Sequence, residues 1–236
     1  MRILNKTHRG ASIAAAVVML ITLLVGTGLN IVSMIGSARD YEASQLLTAV
    51  LNLGINAIAS ILLIVALLRG KKDTVAGVLF LITLVRTIIT GVIGGITGMI
   101  GLLAVMSFMT GGMFASLLAA RFFVLLANLA GAAFRAMLAI ECFKPGKLSG
   151  GKMKLFFLLL PIVNILLTVV SQMAQSLYMI GDYGIGEYLV ITMLPAVFSA
   201  VMSIGMVLLG LAFSIPVYEK MPYEYAYGAQ TEYNPN

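Results

Sequence analysis

Apolar residues in this chain fall in long unbroken runs, and polar residues enter those runs at helical rather than alternating intervals. About 20 apolar residues cross the ~30 Å hydrocarbon layer of a bilayer as a helix. A membrane β-barrel would instead read as alternation over segments of ~10 residues. The pattern predicts an all-α, polytopic membrane bundle with spans over about 12–35, 44–68, 74–96, 118–143, 155–179 and 188–215. The first run exceeds the ~7–15 apolar residues of a signal peptide and reads as a retained span. Residues 97–117, TGMIGLLAVMSFMTGGMFASL, are apolar but hold no polar turn that would separate further spans. They read as a short outer-side helix or re-entrant segment, a feature tolerated at membrane depth only inside protein or beside water. The helical domain then occupies 1–216, and 217–236, rich in Tyr and lacking aliphatic runs, reads as a disordered cytoplasmic tail.

Composition sharpens the class. The chain is 61% hydrophobic and 10% charged, where a soluble domain carries about 25% charged residues. Its net charge of +6 is a topological signal, not a nucleic-acid one. Arg2, Lys6, Arg9, Arg69, Lys71, Lys72, Lys144, Lys147, Lys152, Lys154 and Lys220 fall on one side of the predicted spans. Arg39 and Arg121 fall on the other, with Asp40, Glu42, Asp182 and Glu187. By the positive-inside rule this places a multi-pass protein in the cell membrane with both termini cytoplasmic. Cys142 is the chain's single cysteine, so no intrachain disulfide forms.

Several chemistries lack their residues. The single histidine, His8, precedes the first span, and no His, Cys, Asp and Glu cluster has metal-ligand spacing. Glu141 is the one acid within a span, so an intramembrane carboxylate pair for acid–base work is absent. No phosphate-cradling glycine loop occurs. The expectation is a protein that is not an enzyme and carries no metal or cofactor. A relay of buried acids or histidines for proton coupling is missing as well.

What the spans do hold is a set of polar faces and two buried cations. Arg86 follows Lys72 by 14 residues, which is ~21 Å along a helix and past the middle of the ~30 Å layer. Arg121, Asn128 and Arg135 recur every seven residues on one face. Arg121 reads as a cation at the outer end, whereas Arg135 lies nine residues, or ~13 Å, before Lys144. An arginine at the bilayer centre costs about 2.5–3.5 kcal/mol even on the lenient insertion scale. It needs carbonyls, water or an anion, and a guanidinium holds carboxylate or phosphate through paired hydrogen bonds. Arg86, Arg135, Asn128 and Asn164 are therefore the candidate ligand-binding residues. The expectation is a small-solute transporter or substrate-binding membrane subunit for an anionic or zwitterionic ligand. The alternative is a non-catalytic scaffold or partner subunit. It would associate through the glycines Gly91, Gly94, Gly95, Gly98 and Gly101, the Met-rich stretch 99–113 (Met99, Met106, Met109, Met113) or the Tyr-rich tail. A weak internal match, LNLGINAIASILLIVALLRGK (51–71) over ANLAGAAFRAMLAIECFKPGK (127–147), hints at repeated hairpins, a common transporter device.

Overall fold

The computed structural model describes residues 7–37, 43–104, 111–179 and 203–214. The chain forms α1 (Arg9–Ser37), α2 (Ala43–Leu68), α3 (Thr74–Arg86), a π-helical stretch (Thr87–Ile93) and α4 (Gly94–Ala104). After these come α5 (Gly111–Phe143), a 3₁₀ turn (Lys152–Leu155), α6 (Phe156–Met179) and α7 (Ser203–Ser214). No strand occurs among the described residues. Among the described residues four stretches are long and apolar enough to cross a bilayer: Arg9–Gly28, Thr74–Ala104, Phe114–Phe143 and Lys152–Ala174. Leu53–Leu68 and Ser203–Ser214 are shorter apolar helices. Large apolar side chains face outward along them, among them Leu24 (64% exposed) and Ile100 (60%).

Caps set the helix starts. His8 Nδ1 accepts the Ala11 N–H at 3.3 Å, so the lone histidine serves as a cap for α1. Asp73, in extended backbone, accepts from Ala76 N–H at 2.9 Å and starts α3. Gly70 (φ 61°) and Gly146 (φ 82°) end α2 and α5 in the left-handed region. These are the two glycines aligned by the internal match, but they are used differently: Gly70 N–H donates to Leu67 O in the last turn of α2, whereas Gly146 N–H donates to the Glu141 carboxylate.

Both described parts of the segment 97–117 belong to long helices rather than to a short outer-side helix or re-entrant segment, residues 105–110 lying outside the described residues. Residues 97–104 continue the third helix, and 111–117 begin α5. The helix continues through the glycines, and α5 packs directly against two of them. A Cβ on Gly91 would strike Asn128 Cγ at 2.7 Å, and one on Gly95 would meet Leu125 Cδ1 at 3.3 Å. The 91–95 pair is thus a close-packing face. Among the described residues Gly101 has no neighbour within 4 Å of such a Cβ, and Gly98 has only Arg121 Nη1 at 3.8 Å. Residues 188–202 of the sixth expected span, Pro195, Met106, Met109 and the tail 217–236 lie outside the described residues. So do the side chains of Met113, Asn52 and Asn56.

In lipid, apolar burial does not drive helices together, so close packing and polar ties must. Both concentrate at one end of the bundle, where the helix ends bearing Arg9, Arg69, Lys71, Lys144 and Lys152 meet. Thr7 N–H donates to Gly70 O and His8 N–H to Ala212 O, each at 3.1 Å. Ser12 Oγ donates to Leu67 O at 2.6 Å. Phe80, Phe134, Phe157 and Phe213 are fully buried there with Leu138 and Leu209. Phe80 and Phe213 meet edge to face, centroids 5.7 Å apart.

The same end holds a buried ion pair. Lys72 Nζ donates to Glu141 Oε1 (3.1 Å), Phe213 O (3.1 Å) and Ser149 Oγ (3.5 Å), with both charged side chains almost completely buried. Glu141 also accepts from the backbone N–H groups of Gly146 (2.7 Å), Leu148 (3.0 Å) and Ser149 (3.2 Å) and from Ser149 Oγ (2.5 Å). One carboxylate therefore organises the α5–α6 loop and fastens it, through Lys72, to the Phe213 carbonyl near the end of α7. A cation there is also favoured by the helix dipole.

Candidate functional site

Above this packed end the bundle is hollow. A cavity of about 710 Å³ is bounded by α1, α2, α3 with its π stretch, α5, α6 and α7. Leu63, Phe80, Leu138 and Leu209, which belong to the packed core, are among its lining residues. The polar lining comprises Thr22, Thr27, Ser60, Thr83, Thr87, Thr90, Thr168, Ser171, Gln172 and Ser203 together with Arg86, Asn128, Arg135 and Asn164. The structure thus brings the four sequence-nominated residues to one cavity. Arg121 lies elsewhere, beside Gly98.

Local sequence explains each placement. Arg86 ends α3, immediately before the helix widens into the π stretch. Thr83, Thr87 and Thr90 donate their hydroxyls to Phe80 O, Thr83 O and Arg86 O at 2.8–2.9 Å. Such back-bonding bends helices, and a side chain inserted into the ladder is a recognised cause of local distortion. Asn128 is that side chain, for its Nδ2 donates to Gly91 O at 3.1 Å across from α5. Asn164 Nδ2 likewise donates to Ala127 O at 2.5 Å, tying α6 to α5. Each asparagine therefore joins two helices while lining the cavity, so glue and cavity wall are one role for these residues.

Arg135 folds back on its own helix and donates from Nη1 to Gly131 O at 3.0 Å. Gly131 makes this pose available, because a Cβ there would lie 3.0 Å from Arg135 Nη1 and 3.2 Å from Asn164 Nδ2. Gly131 is absent from the sequence nomination. Its signal was present: a glycine four residues before an arginine frees the carbonyl that the guanidinium covers. The Arg86 guanidinium makes no hydrogen bond or ion pair among the described residues, and it is exposed along the cavity wall. The two guanidiniums lie within electrostatic reach of each other. Glu141, the acid nearest to Arg135 in sequence, is engaged by Lys72. Among the described residues no carboxylate lines the cavity, and no group of three or more His, Cys, Asp or Glu is placed to hold a metal. On α1, the Thr22 hydroxyl lines the cavity, buried and without a hydrogen-bond partner among the described residues.

No protein-family model, curated protein or solved structure matches the chain.

Proposed function

We propose that this chain is a multi-pass membrane protein, both termini cytoplasmic, that binds a small anionic or zwitterionic solute in its central cavity and carries it across the bilayer. The observation that carries the reading is the pair Arg86 and Arg135 on the wall of one cavity inside an apolar bundle. The ~710 Å³ volume lies in the ~300–1,000 Å³ range of small-molecule sites. A polar lining contributed by helices from both halves of the chain suits a solute held between moving elements. The reading is one of binding and passage without covalent chemistry.

The test uses the purified protein in lipid nanodiscs at constant ionic strength. Thermal unfolding is followed while pentanoate, glutarate, propyl phosphate or glutamine is titrated. At least one of them raises the unfolding temperature, because a ligand that binds only the folded state stabilises it by mass action. Arg86→Gln removes that response. If no probe shifts wild-type unfolding, the solute-binding reading fails.

One observation favours the alternative of a scaffold or partner subunit. Among the described residues Gly101 meets nothing within 4 Å and Gly98 meets only the Arg121 guanidinium, a small-residue face against which a helix of another chain packs closely under this reading. Under that reading the protein migrates as an assembly in mild detergent, and Gly98→Leu dissociates it.

A further inference from the structure

We propose that the cavity selects an organic dianion, bound by Arg86 and Arg135 together, over monoanions and zwitterions. This rests on the solute-binding reading above and specifies its ligand.

The first observation is the pairing itself. Two guanidiniums face one cavity and each lies in the field of the other. A monoanion would neutralise one charge and leave the second uncompensated in a poorly screened interior. A zwitterion would add a third cation beside them. A ligand carrying two negative charges removes the repulsion and gains an attraction at each end.

The second observation is donor supply. A guanidinium carries five N–H donors in a planar fork. Arg135 spends Nη1 on Gly131 O, which fixes the plane of the group and leaves the remaining donors for a ligand. Arg86 spends no side-chain donor among the described residues, so its fork is available for two-point contact with carboxylate or phosphate. One arginine is oriented in advance and the other adapts.

The third observation is the remaining wall. Met19, Leu23, Leu53, Ala57, Val124 and Met206 line the same cavity, and about 710 Å³ is far more than an inorganic ion fills. The apolar stretch suits a hydrocarbon body and the two arginines suit its charges. A short dicarboxylate and an alkyl phosphate monoester share this chemistry.

The experiment ranks the four probes by affinity for the wild-type protein in nanodiscs at fixed ionic strength. Glutarate or propyl phosphate binds at least about tenfold more tightly than pentanoate, the scale of one further charge-assisted contact. Arg86→Gln and Arg135→Gln each bring that ratio close to one. A measurement on wild type alone tests the same point, because a phosphate monoester gains its second charge near pH 6. Propyl phosphate affinity therefore rises between pH 5 and pH 8, relative to pentanoate over the same interval. Equal affinities for pentanoate, glutarate and propyl phosphate, or tighter binding of glutamine, overturn the dianion assignment and leave the cavity a general solute site. Binding of none of the four overturns the solute-binding reading, and this assignment with it.

Discussion

Gly210 shows how far a single residue's role can lie from its own sequence neighbourhood. Pro161, inside α6, has no N–H, so the carbonyl four residues earlier, that of Phe157, loses its helical donor. The structure lays Gly210 of α7 directly on that carbonyl, and a Cβ on Gly210 would collide with Phe157 O. The glycine Cα–H points at the orphaned oxygen instead, a weak but recurrent helix–helix contact. Gly210→Ala is therefore expected to destabilise by about 3 kcal/mol, the upper end of overpacking because backbone cannot rotate away. Gly101→Ala, where nothing among the described residues lies within 4 Å, is expected to be neutral or to stabilise by up to ~1 kcal/mol. Unfolding of both variants in lipid checks the opposite signs. Neither outcome is legible in sequence, since both glycines sit in similar apolar runs and only the facing helix separates them. Arg86, Asn128, Arg135 and Asn164 were legible, because polar groups in an apolar helix must turn inward. The partners they meet were not.

At the scale of elements, the spans 12–35, 44–68 and 155–179 fall within a few residues of α1, α2 and α6, because long apolar runs bounded by charge leave little choice of ends. The third and fourth helices extend beyond their expected limits. The apolar run 97–104 simply prolongs the helix, with α5 packed against Gly91 and Gly95 in the stretch before it. Lys72 reads as one more loop cation, yet it is 2% exposed, a burial that depends on Glu141 being delivered from 69 residues away. Removing one member of such a pair strands the other and costs about 3–5 kcal/mol. Lys72→Met and Glu141→Gln are each expected to destabilise on that scale. The double variant is expected to lose clearly less than the two singles added together. A double-mutant cycle on unfolding in lipid measures the difference, and strict additivity would show that the two groups do not act as a pair.

Across the whole molecule, packing is asymmetric: six helix ends are knotted together at the basic end, and the cavity occupies the bundle above them. With the basic end cytoplasmic, as proposed, passage of a solute requires the knotted end to part, and the Lys72–Glu141 pair is what must let go. The chain carries its own reporter for that event. Cys142, adjacent to Glu141, is a free thiol only 3% exposed, packed where α5 crosses Gly77 of α3. Because it is the single cysteine in the sequence, a membrane-permeant maleimide applied to the native protein reads one site without engineering. Alkylation in wild type is expected to be slow and, when reclosing outpaces the reagent, to track the population of opened molecules. Lys72→Met should accelerate it roughly a hundredfold, the ratio that ~3 kcal/mol represents. A sulfur atom outside the cavity lining thereby becomes a clock for how often the packed end of the bundle stands ajar.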